Sequence, residues 1–451
     1  MTAPALDEDD SPGREPEGLD RAIGVAGLAA NAVNLTVGAG IFALPAVVAA
    51  LLGPAAILAY LVCGVAVLLV FLCFAEAGSR VSRSGGAYAY VEAAFGPYAG
   101  FLVNLLLWFG FGILGDAAIA NVLVDSVAAV APGAGAPAPR AALMLALFGG
   151  VALVNIRGVR QGTRFAMGIT VVKLLPLVLL VVAGLFAVRL ERLTWTGMPA
   201  AADLGAASLI LFFAFGGAET ALTACGEVKN CARTVPRAIV LAIGGLLLLY
   251  IGLQVVAQGV LGDSLATEQG APLAAAAGQV LGPPGRLLLI ACAMLATFGS
   301  IAGDLLAMPR ALFAAARDGF LPSALARVHP RFRTPYLAIA AYAATGALFA
   351  ITGAFRQLAA FASAVILIVY LAVCLATIQL QRRDVRLVGE PFRLRGGPLI
   401  PLAGAGVVVW LLLQATQREV IGIGAGLVLA TLFYLFRRTR VPAGAAAGGT
   451  A

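Results

Sequence analysis

Four ionisable side chains lie inside long apolar stretches of this sequence: Asp116, Lys173, Glu219 and Asp304. Charged groups within membrane-spanning segments are rare, and by default they are candidates for binding or proton transfer. Burial disfavours the charged form of an amine, so Lys173 is interpreted either as a proton carrier or as a fixed structural cation. The alternative is a lysine whose amine extends to the cytoplasmic surface.

Glu219 directly follows a glycine pair, Gly216 and Gly217, inside an apolar stretch. An ionised carboxylate at this position would pair with a cationic group of a ligand. Burial also favours the neutral acid, and a third interpretation is a hydrogen bond that stabilises an unwound segment. The sequence leaves these three roles open.

Asp304 and Asp116 lie in two other apolar stretches. Asp304 follows Ser300 by one helical turn, and an ion pair between Asp304 and Lys173 is one hypothesis for both residues. Asp116 either faces the same cavity or is buried for packing reasons.

Two of the apolar stretches contain glycines where an unbroken helix is expected. The first includes TVGAGIFALP at residues 36–45, and the second includes FAFGGAET at residues 213–220. Glycine and proline free backbone N–H and C=O groups, and each unpaired group in hydrocarbon costs several kcal/mol. Such breaks survive where they are buried in protein or line a wet cavity. The two stretches align without gaps at an offset of 178 residues, which indicates two related halves.

Broken helices at corresponding positions in two halves indicate a binding site at the interface of the halves. Helix N-termini present free N–H groups that suit a carboxylate, and helix C-termini present free carbonyls that suit an ammonium group. An α-amino acid carries both groups. The alternative is that the glycines only permit close helix packing. Phe213 and Phe215 immediately precede the second glycine pair, and ordinary core packing is the default interpretation of both.

The composition predicts a membrane protein. The chain has 451 residues, of which 61% are hydrophobic and 12% are charged, roughly half the charged fraction of an ordinary soluble protein. The first twenty residues and the final VPAGAAAGGTA are predicted to be disordered tails. The six cysteines lack CxxC spacing, so no disulfide framework or metal site is expected. Abundant arginine, alanine and glycine are typical of a GC-rich bacterial genome.

Twelve apolar runs are long enough to predict an all-α integral membrane protein. With a cytoplasmic N-terminus, 23 basic residues fall on the cytoplasmic side and 6 on the outer side. This asymmetry follows the positive-inside rule and predicts that both termini are cytoplasmic. The predicted spans are residues 22–51, 54–79, 98–125, 140–157, 163–188, 205–226, 236–261, 285–310, 335–353, 356–380, 399–416 and 419–437.

Longer motifs carry a resemblance to a known family. GAGIF at 38–42, RSGGAYAYVEAAFG at 83–96, VVKLLPLVLLVVAG at 171–184, GEVKNCARTVPRAI at 226–239 and the segment 309–339 occur in this order. Together they resemble the amino acid–polyamine–organocation (APC) transporter superfamily over nearly the whole chain. The resemblance implies a LeuT-type fold with twelve transmembrane helices, built as a 5+5 inverted repeat plus two peripheral helices.

The implied organisation has five parts. A cytoplasmic tail (1–20) precedes the first repeat (21–190), the second repeat (203–380) and the peripheral pair (396–438), and a second cytoplasmic tail (439–451) ends the chain.

The resemblance also assigns the candidate site. In the resembled family an aromatic residue beside the second break often closes the outer side of the site, so Phe215 is either a gate over the site or part of the core. In the resembled family, the lysine that matches Lys173 lies against the first helix, where its ammonium takes the place of the cation of sodium-coupled relatives. The expected coupling residues are Lys173 and Asp304. The expected substrate-binding residues are Thr36, Gly38, Ala39, Gly40, Ile41, Phe213, Phe215, Gly216, Gly217 and Glu219.

These observations predict a secondary active transporter of amino acids in the plasma membrane that works by alternating access. Lys173 favours proton-coupled uptake, with the proton as coupling ion and no other cofactor, and the apolar surroundings favour neutral amino acids as substrates. The alternatives are an amino acid exchanger, a transporter of cationic amino acids or polyamines, and, in another class, a non-transporting amino acid sensor. Catalytic and nucleotide-binding motifs are missing from the sequence, and its basic clusters are short, so neither an enzyme nor a nucleic-acid partner is expected.

Overall fold

The computed structural model describes residues 24–81, 86–157, 163–221, 228, 231–268, 270–317, 321–386, 391–394 and 396–438. The two predicted tails, 1–20 and 439–451, lie outside the described residues. The α-helices of the described chain are α1 (Val25–Thr36), α2 (Gly40–Leu52), α3 (Ala56–Val81), α4 (Ala87–Phe95), α5 (Pro97–Leu105), α6 (Leu114–Ala128), α7 (Pro137–Ile156), α8 (Thr163–Gly184), α9 (Ala201–Leu211), α10 (Ala218–Ala221), α11 (Cys231–Leu261), α12 (Pro272–Arg317), α13 (Tyr336–Thr352), α14 (Phe355–Arg382), α15 (Leu399–Leu412) and α16 (Gln417–Arg438).

Seven helical segments of the described chain are long and apolar enough to cross a membrane. Five shorter apolar helices fall in the first, fifth, sixth, ninth and eleventh predicted spans. The first and sixth are short because each is interrupted. The described chain is therefore an all-helical, multi-pass membrane protein, while the count of twelve spans and the inverted repeat stay predictions.

Local irregularities divide two of the longer helical stretches. Gly282, with φ of +72°, interrupts α12 just before two prolines, and the eighth predicted span begins at residue 285. The third span departs from a simple α-helix, because Leu106–Ile113 forms a π-helix between α5 and α6. Single π turns within α-helices occur frequently at functional sites.

The two glycine-containing stretches interrupt their helices. The first break, residues 37–39, separates α1 from α2. The second break, residues 212–217, combines a 3₁₀ turn with an extended Gly216 between α9 and α10. α1 packs against α10, and α2 packs against α9. The two interrupted segments therefore run antiparallel and meet at their breaks.

A buried ion pair near the end of α3 forms hydrogen bonds with the loop after α14. Glu76 accepts hydrogen bonds from Arg80 at 2.9 and 2.8 Å, and the two side chains are 1% and 4% exposed. The second Glu76 oxygen accepts the amide of Gln381 at 2.9 Å and the backbone N–H of Leu394 at 3.1 Å. Arg80 also donates to the Val385 carbonyl at 3.3 Å. Because both carboxylate oxygens are satisfied, this pair stabilises the position of the loop.

Glu76→Gln is expected to destabilise the folded protein strongly. The substitution removes the buried partner of the Arg80 guanidinium and leaves it only the exposed Asp384 carboxylate, 3.6 Å away. Breaking a buried pair costs about 3–5 kcal/mol. The measurement is the thermal unfolding temperature of the purified protein in detergent. The control is Glu268→Gln, at an exposed position. Equal unfolding temperatures for the two variants would contradict the structural role of Glu76.

Candidate functional site

The two breaks contact each other through their backbones. A Cβ atom at Gly217 would lie 2.6 Å from the carbonyl oxygen of Leu35, and one at Gly40 would lie 3.1 Å from Cα of Ala214. Gly217 also has φ of +112°, which residues with a side chain rarely adopt. Only glycine allows this approach, so the glycines bring the peptide groups of the two breaks side by side.

Each break leaves backbone groups without a partner inside its helix. α2 begins at Gly40 with no side-chain cap, so the N–H groups of Gly40 and Ile41 have no acceptor within the helix. At the second break, the carbonyls at the end of the 3₁₀ turn Phe212–Phe215 have no following helical turn to pair with. Helix-terminal donors and helix-terminal acceptors therefore lie next to each other, an arrangement that suits a zwitterion.

Tyr250 on α11 links the two breaks. Its hydroxyl lies 3.0 Å from the Ala214 carbonyl and 3.4 Å from the Thr36 carbonyl, and its ring packs edge-on against Phe215. Sequence reasoning missed Tyr250, because a tyrosine inside an apolar helix carries no signal of the partner that its hydroxyl will meet. Its position identifies it as a residue that holds the breaks in register.

Tyr250→Phe is expected to weaken amino acid binding about tenfold. The change removes a buried donor from one or two carbonyls, a loss of about 1–3 kcal/mol, while the aromatic contact with Phe215 remains. The dissociation constant of the purified protein for its amino acid is the quantity to measure. Tyr98→Phe is the matched control, because it removes a tyrosine hydroxyl bonded to Thr431 on exposed α5 and α16. Unchanged affinity in Tyr250→Phe would show that the hydroxyl does not support the site.

Lys173 is buried, and its amine contacts the first broken helix. The side chain is 5% exposed, and its Nζ donates to the Asn34 carbonyl, 2.5 Å away in the last turn of α1. The lysine carbonyl in turn accepts the Cys292 thiol of α12 at 3.3 Å. A cation at a helix C-terminus interacts favourably with the helix dipole. The amine is therefore directed into the protein interior, unlike a lysine that extends to the membrane surface.

The hypothesis of an ion pair between Lys173 and Asp304 is wrong for this structure. Lys173 is bonded to Asn34, and the Asp304 carboxyl interacts instead with Asp116 on α6. The reason is geometric: Ser300, one turn before Asp304, lies against Gly38 within the first break, whereas the Lys173 amine contacts Asn34 in the last turn of α1. A partner on a neighbouring helix depends on the rotation of that helix, which the sequence does not state.

Glu219 is engaged by its own segment. One carboxylate oxygen accepts the Gly217 N–H at 2.8 Å and the Tyr370 hydroxyl at 2.7 Å. Of the three roles open at the sequence level, this geometry favours the hydrogen bond that stabilises the unwound segment. Tyr370, on α14, was not identified from the sequence.

The two phenylalanines of the second break have different surroundings. Phe215 is fully buried against Tyr250, which favours its interpretation as a core residue rather than a gate. Phe213 instead lies over the first break, because a Cβ at Gly40 would be 3.2 Å from its ring. Its ring centroid is 6.5 Å from that of Phe111 in the π-helix and 6.1 Å from that of Phe355 on α14. Phe213 is thus the better candidate for a gate.

The remaining predicted residues lie at the same crossing, and it is closed. Thr36, Ala39 and Ile41 are buried, and a Cβ at Gly38 would lie 3.4 Å from the Ser300 hydroxyl. Gly216 packs against the Phe111 ring, at 2.6 Å from a Cβ placed there. Entry of a ligand therefore requires helices to move, as in proteins whose sites open and close.

Comparison with known proteins identifies the family. A family model described as amino acid permease matches residues 23–435. The chain belongs to the amino acid permease family. An uncharacterized transporter of Mycobacterium tuberculosis is 31% identical over 422 residues, which cover 91% of each chain. The methylthioribose transporter of Bacillus subtilis is 28% identical, over 92% of this chain and 93% of its own. The serine/threonine exchanger of the same organism is 30% identical, over 72% of this chain and 75% of its own.

Membership of this permease family confirms the resemblance drawn from the motifs. The family and these relatives are transporters, so this permease is a transporter and not an enzyme. The names of the two Bacillus subtilis relatives indicate substrates that differ in chemistry. Family membership alone therefore leaves the substrate, the coupling ion and the roles of individual residues to be argued from the site.

Proposed function

We propose that this permease is a secondary active transporter of α-amino acids in the plasma membrane. The observation that carries the proposal is the adjacency of the helix-terminal N–H groups at the start of α2 and the helix-terminal carbonyls at the second break. The N–H groups would bind the α-carboxylate, and the carbonyls would bind the α-ammonium group. Such a site recognises the part that all amino acids share.

The proposed mechanism is alternating access on a twelve-helix, 5+5 inverted-repeat fold with both termini in the cytoplasm. The antiparallel crossing of the two interrupted segments supports this, because an inverted repeat would place its first helices in that relation. The closed packing around Phe213 would correspond to an occluded state, which opens when helices on one side move apart.

Proton coupling through Lys173 is part of the proposal. The amine occupies the end of α1 next to the first break, so loss or gain of its proton would change the interaction with the Asn34 carbonyl. This would link protonation to the position of α1 relative to α8. No other cofactor is proposed.

The side chain of the substrate is a separate question. Ile41, Phe213 and Phe215 form apolar surroundings that support a neutral amino acid, the class favoured by the sequence. The cationic alternative would place a charged group of the substrate against Glu219, whose carboxylate is already bonded to Gly217 and Tyr370. The serine/threonine exchanger shows that a relative can exchange amino acids, so exchange stays the alternative to proton-driven uptake.

Reconstituted liposomes test the proposal. A ligand-stabilisation screen first identifies the amino acid that raises the unfolding temperature. Accumulation of this amino acid under an imposed pH gradient, without internal amino acid, is the expected result. Uptake that needs internal amino acid would indicate exchange rather than proton symport. Binding without any flux would contradict transport and support an amino acid sensor.

A further inference from the structure

The turn between α12 and α13 is organised around His329. The backbone N–H of His329 donates to the Thr334 carbonyl at 2.8 Å, and its carbonyl accepts the Arg333 N–H at 3.0 Å. The ring Nδ1 accepts the backbone N–H groups of Arg331 and Phe332 at 3.2 and 3.3 Å. The ring also packs against Phe332, with 4.7 Å between the two ring centroids. One side chain therefore determines the backbone path of the whole turn.

Residues 327–334, which we call the basic turn, present three arginines. Arg327, Arg331 and Arg333 are exposed, and the segment contains no acidic residue. Arg333 has φ of +55°, a left-handed conformation that residues with a side chain rarely adopt. Such backbone strain persists only where the surrounding structure enforces it, and it is common at ligand clamps. The contacts of His329 supply that enforcement, so the arginines are held in a defined array.

The basic turn lies at the level where two apolar helices end. The Thr334 hydroxyl donates to the carbonyl of Ile156, the last residue of α7, at 2.7 Å. α13 begins at Tyr336, two residues after the turn, and the exposed Arg157 directly follows α7. α7 is long and apolar enough to cross a membrane, and α13 is a shorter apolar helix. The four arginines are therefore placed at the membrane surface, on the cytoplasmic side in the proposed topology.

Within the part of the chain that the structure describes, these four arginines have no acidic partner. The ion pairs found there involve Arg80, Arg140, Arg386 and Arg393. The cluster after α14 differs from the basic turn, because Arg386 and Arg393 both approach Asp384. In the basic turn, the Arg331 guanidinium lies 5.5 Å from the centre of the Phe332 ring, a contact that leaves its charge without a counter-ion. Such guanidinium groups suit phosphate oxygens, which they bind through two parallel hydrogen bonds.

We propose that the basic turn binds the phosphate groups of anionic phospholipids such as phosphatidylglycerol. Charge and position both support this partner, because the turn is positively charged and lies where α7 and α13 enter the membrane. Anionic headgroups attract arginines placed next to membrane-spanning helices. Val328, which is 43% exposed beside Arg327, suits the apolar boundary below the headgroups. A bound lipid would hold the end of α7 and the start of α13 together at the membrane surface.

Lipid binding by purified protein in a neutral detergent tests the proposal. The dissociation constants are measured for fluorescent phosphatidylglycerol and for phosphatidylcholine with the same acyl chains. We expect tighter binding of phosphatidylglycerol and a preference that falls as salt is added. Replacing Arg327, Arg331 and Arg333 together by glutamine should lower this preference about 100-fold, because each arginine near an anionic lipid surface contributes about fivefold in affinity.

Two further variants separate the shape of the turn from its charge. Replacing Arg189, Arg286 and Arg356 together by glutamine removes the same charge from exposed positions on separate loops, so this control should keep the wild-type preference. His329→Ala keeps the three arginines of the turn but removes the acceptor of two backbone N–H groups. We expect it to lose several-fold in preference. Full preference in His329→Ala would overturn the role of the turn as a built site.

The other outcomes are equally decisive. Equal affinity of wild-type protein for the two lipids would overturn the proposal, as would an equal loss of preference in the turn variant and in the control. Complete competition by millimolar inorganic phosphate would indicate a site for soluble phosphate and would overturn the lipid as partner. The binding requires no amino acid, so failure of the proposed transport would leave this result unaffected. The wild-type comparison gives an answer even where a variant does not fold.

Discussion

Lys173→Ala is expected to abolish amino acid accumulation driven by a proton gradient. The substitution removes the buried amine that donates to the Asn34 carbonyl at the end of α1. Without this amine, the coupling proposed here has no group to carry the proton, and the C-terminal carbonyl of α1 loses its partner. The measurement is uptake into proteoliposomes under an inside-alkaline pH gradient.

Two comparisons make this result specific. Arg286→Ala removes an exposed basic side chain and should retain accumulation. Lys173→Arg keeps the positive charge but cannot give up its proton near neutral pH. Loss of accumulation in Lys173→Arg therefore indicates a proton carrier, whereas retention indicates a fixed structural cation. Full accumulation in Lys173→Ala would remove Lys173 from the mechanism.

Gly217→Ala is expected to reduce amino acid affinity by about 100-fold. A side chain at φ of +112° costs about 1–2 kcal/mol. The new Cβ would also meet the Leu35 carbonyl oxygen at 2.6 Å, and overpacking of this kind costs about 1–3 kcal/mol. Together these penalties amount to about 2–5 kcal/mol, and about 3 kcal/mol corresponds to two powers of ten in affinity. They act on the closed contact between the breaks, which is the arrangement proposed to hold the substrate.

A second glycine provides the control for this prediction. Gly244 lies on α11, and no atom lies within 4 Å of a Cβ placed there. Gly244→Ala should leave affinity unchanged and slightly favour the helix. Titration of both variants with the amino acid gives the comparison. Equal affinities would show that close contact between the breaks is not needed for binding.

The glycine patterns were sufficient to predict where the helices break. Glycines interrupt two apolar segments, at Gly38 and Gly40 in the first and at Gly216 and Gly217 in the second. In a membrane, the backbone groups freed there are tolerated only where they are buried in protein or line a wet cavity. The depth of Lys173 in an apolar run likewise predicted a buried amine. These features are local, so they depend little on how neighbouring helices are rotated.

The partners across helices could not be predicted in the same way. Tyr250, Tyr342 and Tyr370 are tyrosines inside apolar helices, and sequence alone does not distinguish one that faces a site from one that packs in the core. The interaction of Asp304 with Asp116, rather than with Lys173, follows from the rotation of α12. The π-helix at Leu106–Ile113 changes the helical register in the third span, which a period of 3.6 residues does not anticipate.

The central claim is that the backbone groups of the two breaks bind the charged ends of an amino acid. It is tested most directly with wild-type protein, its amino acid, and two analogues with the same side chain, one lacking the α-amino group and one with an uncharged amide in place of the α-carboxylate. The measurement is the increase in unfolding temperature at matched concentrations. We predict a clear increase with the amino acid and almost none with either analogue. Equal stabilisation by all three compounds would contradict the account.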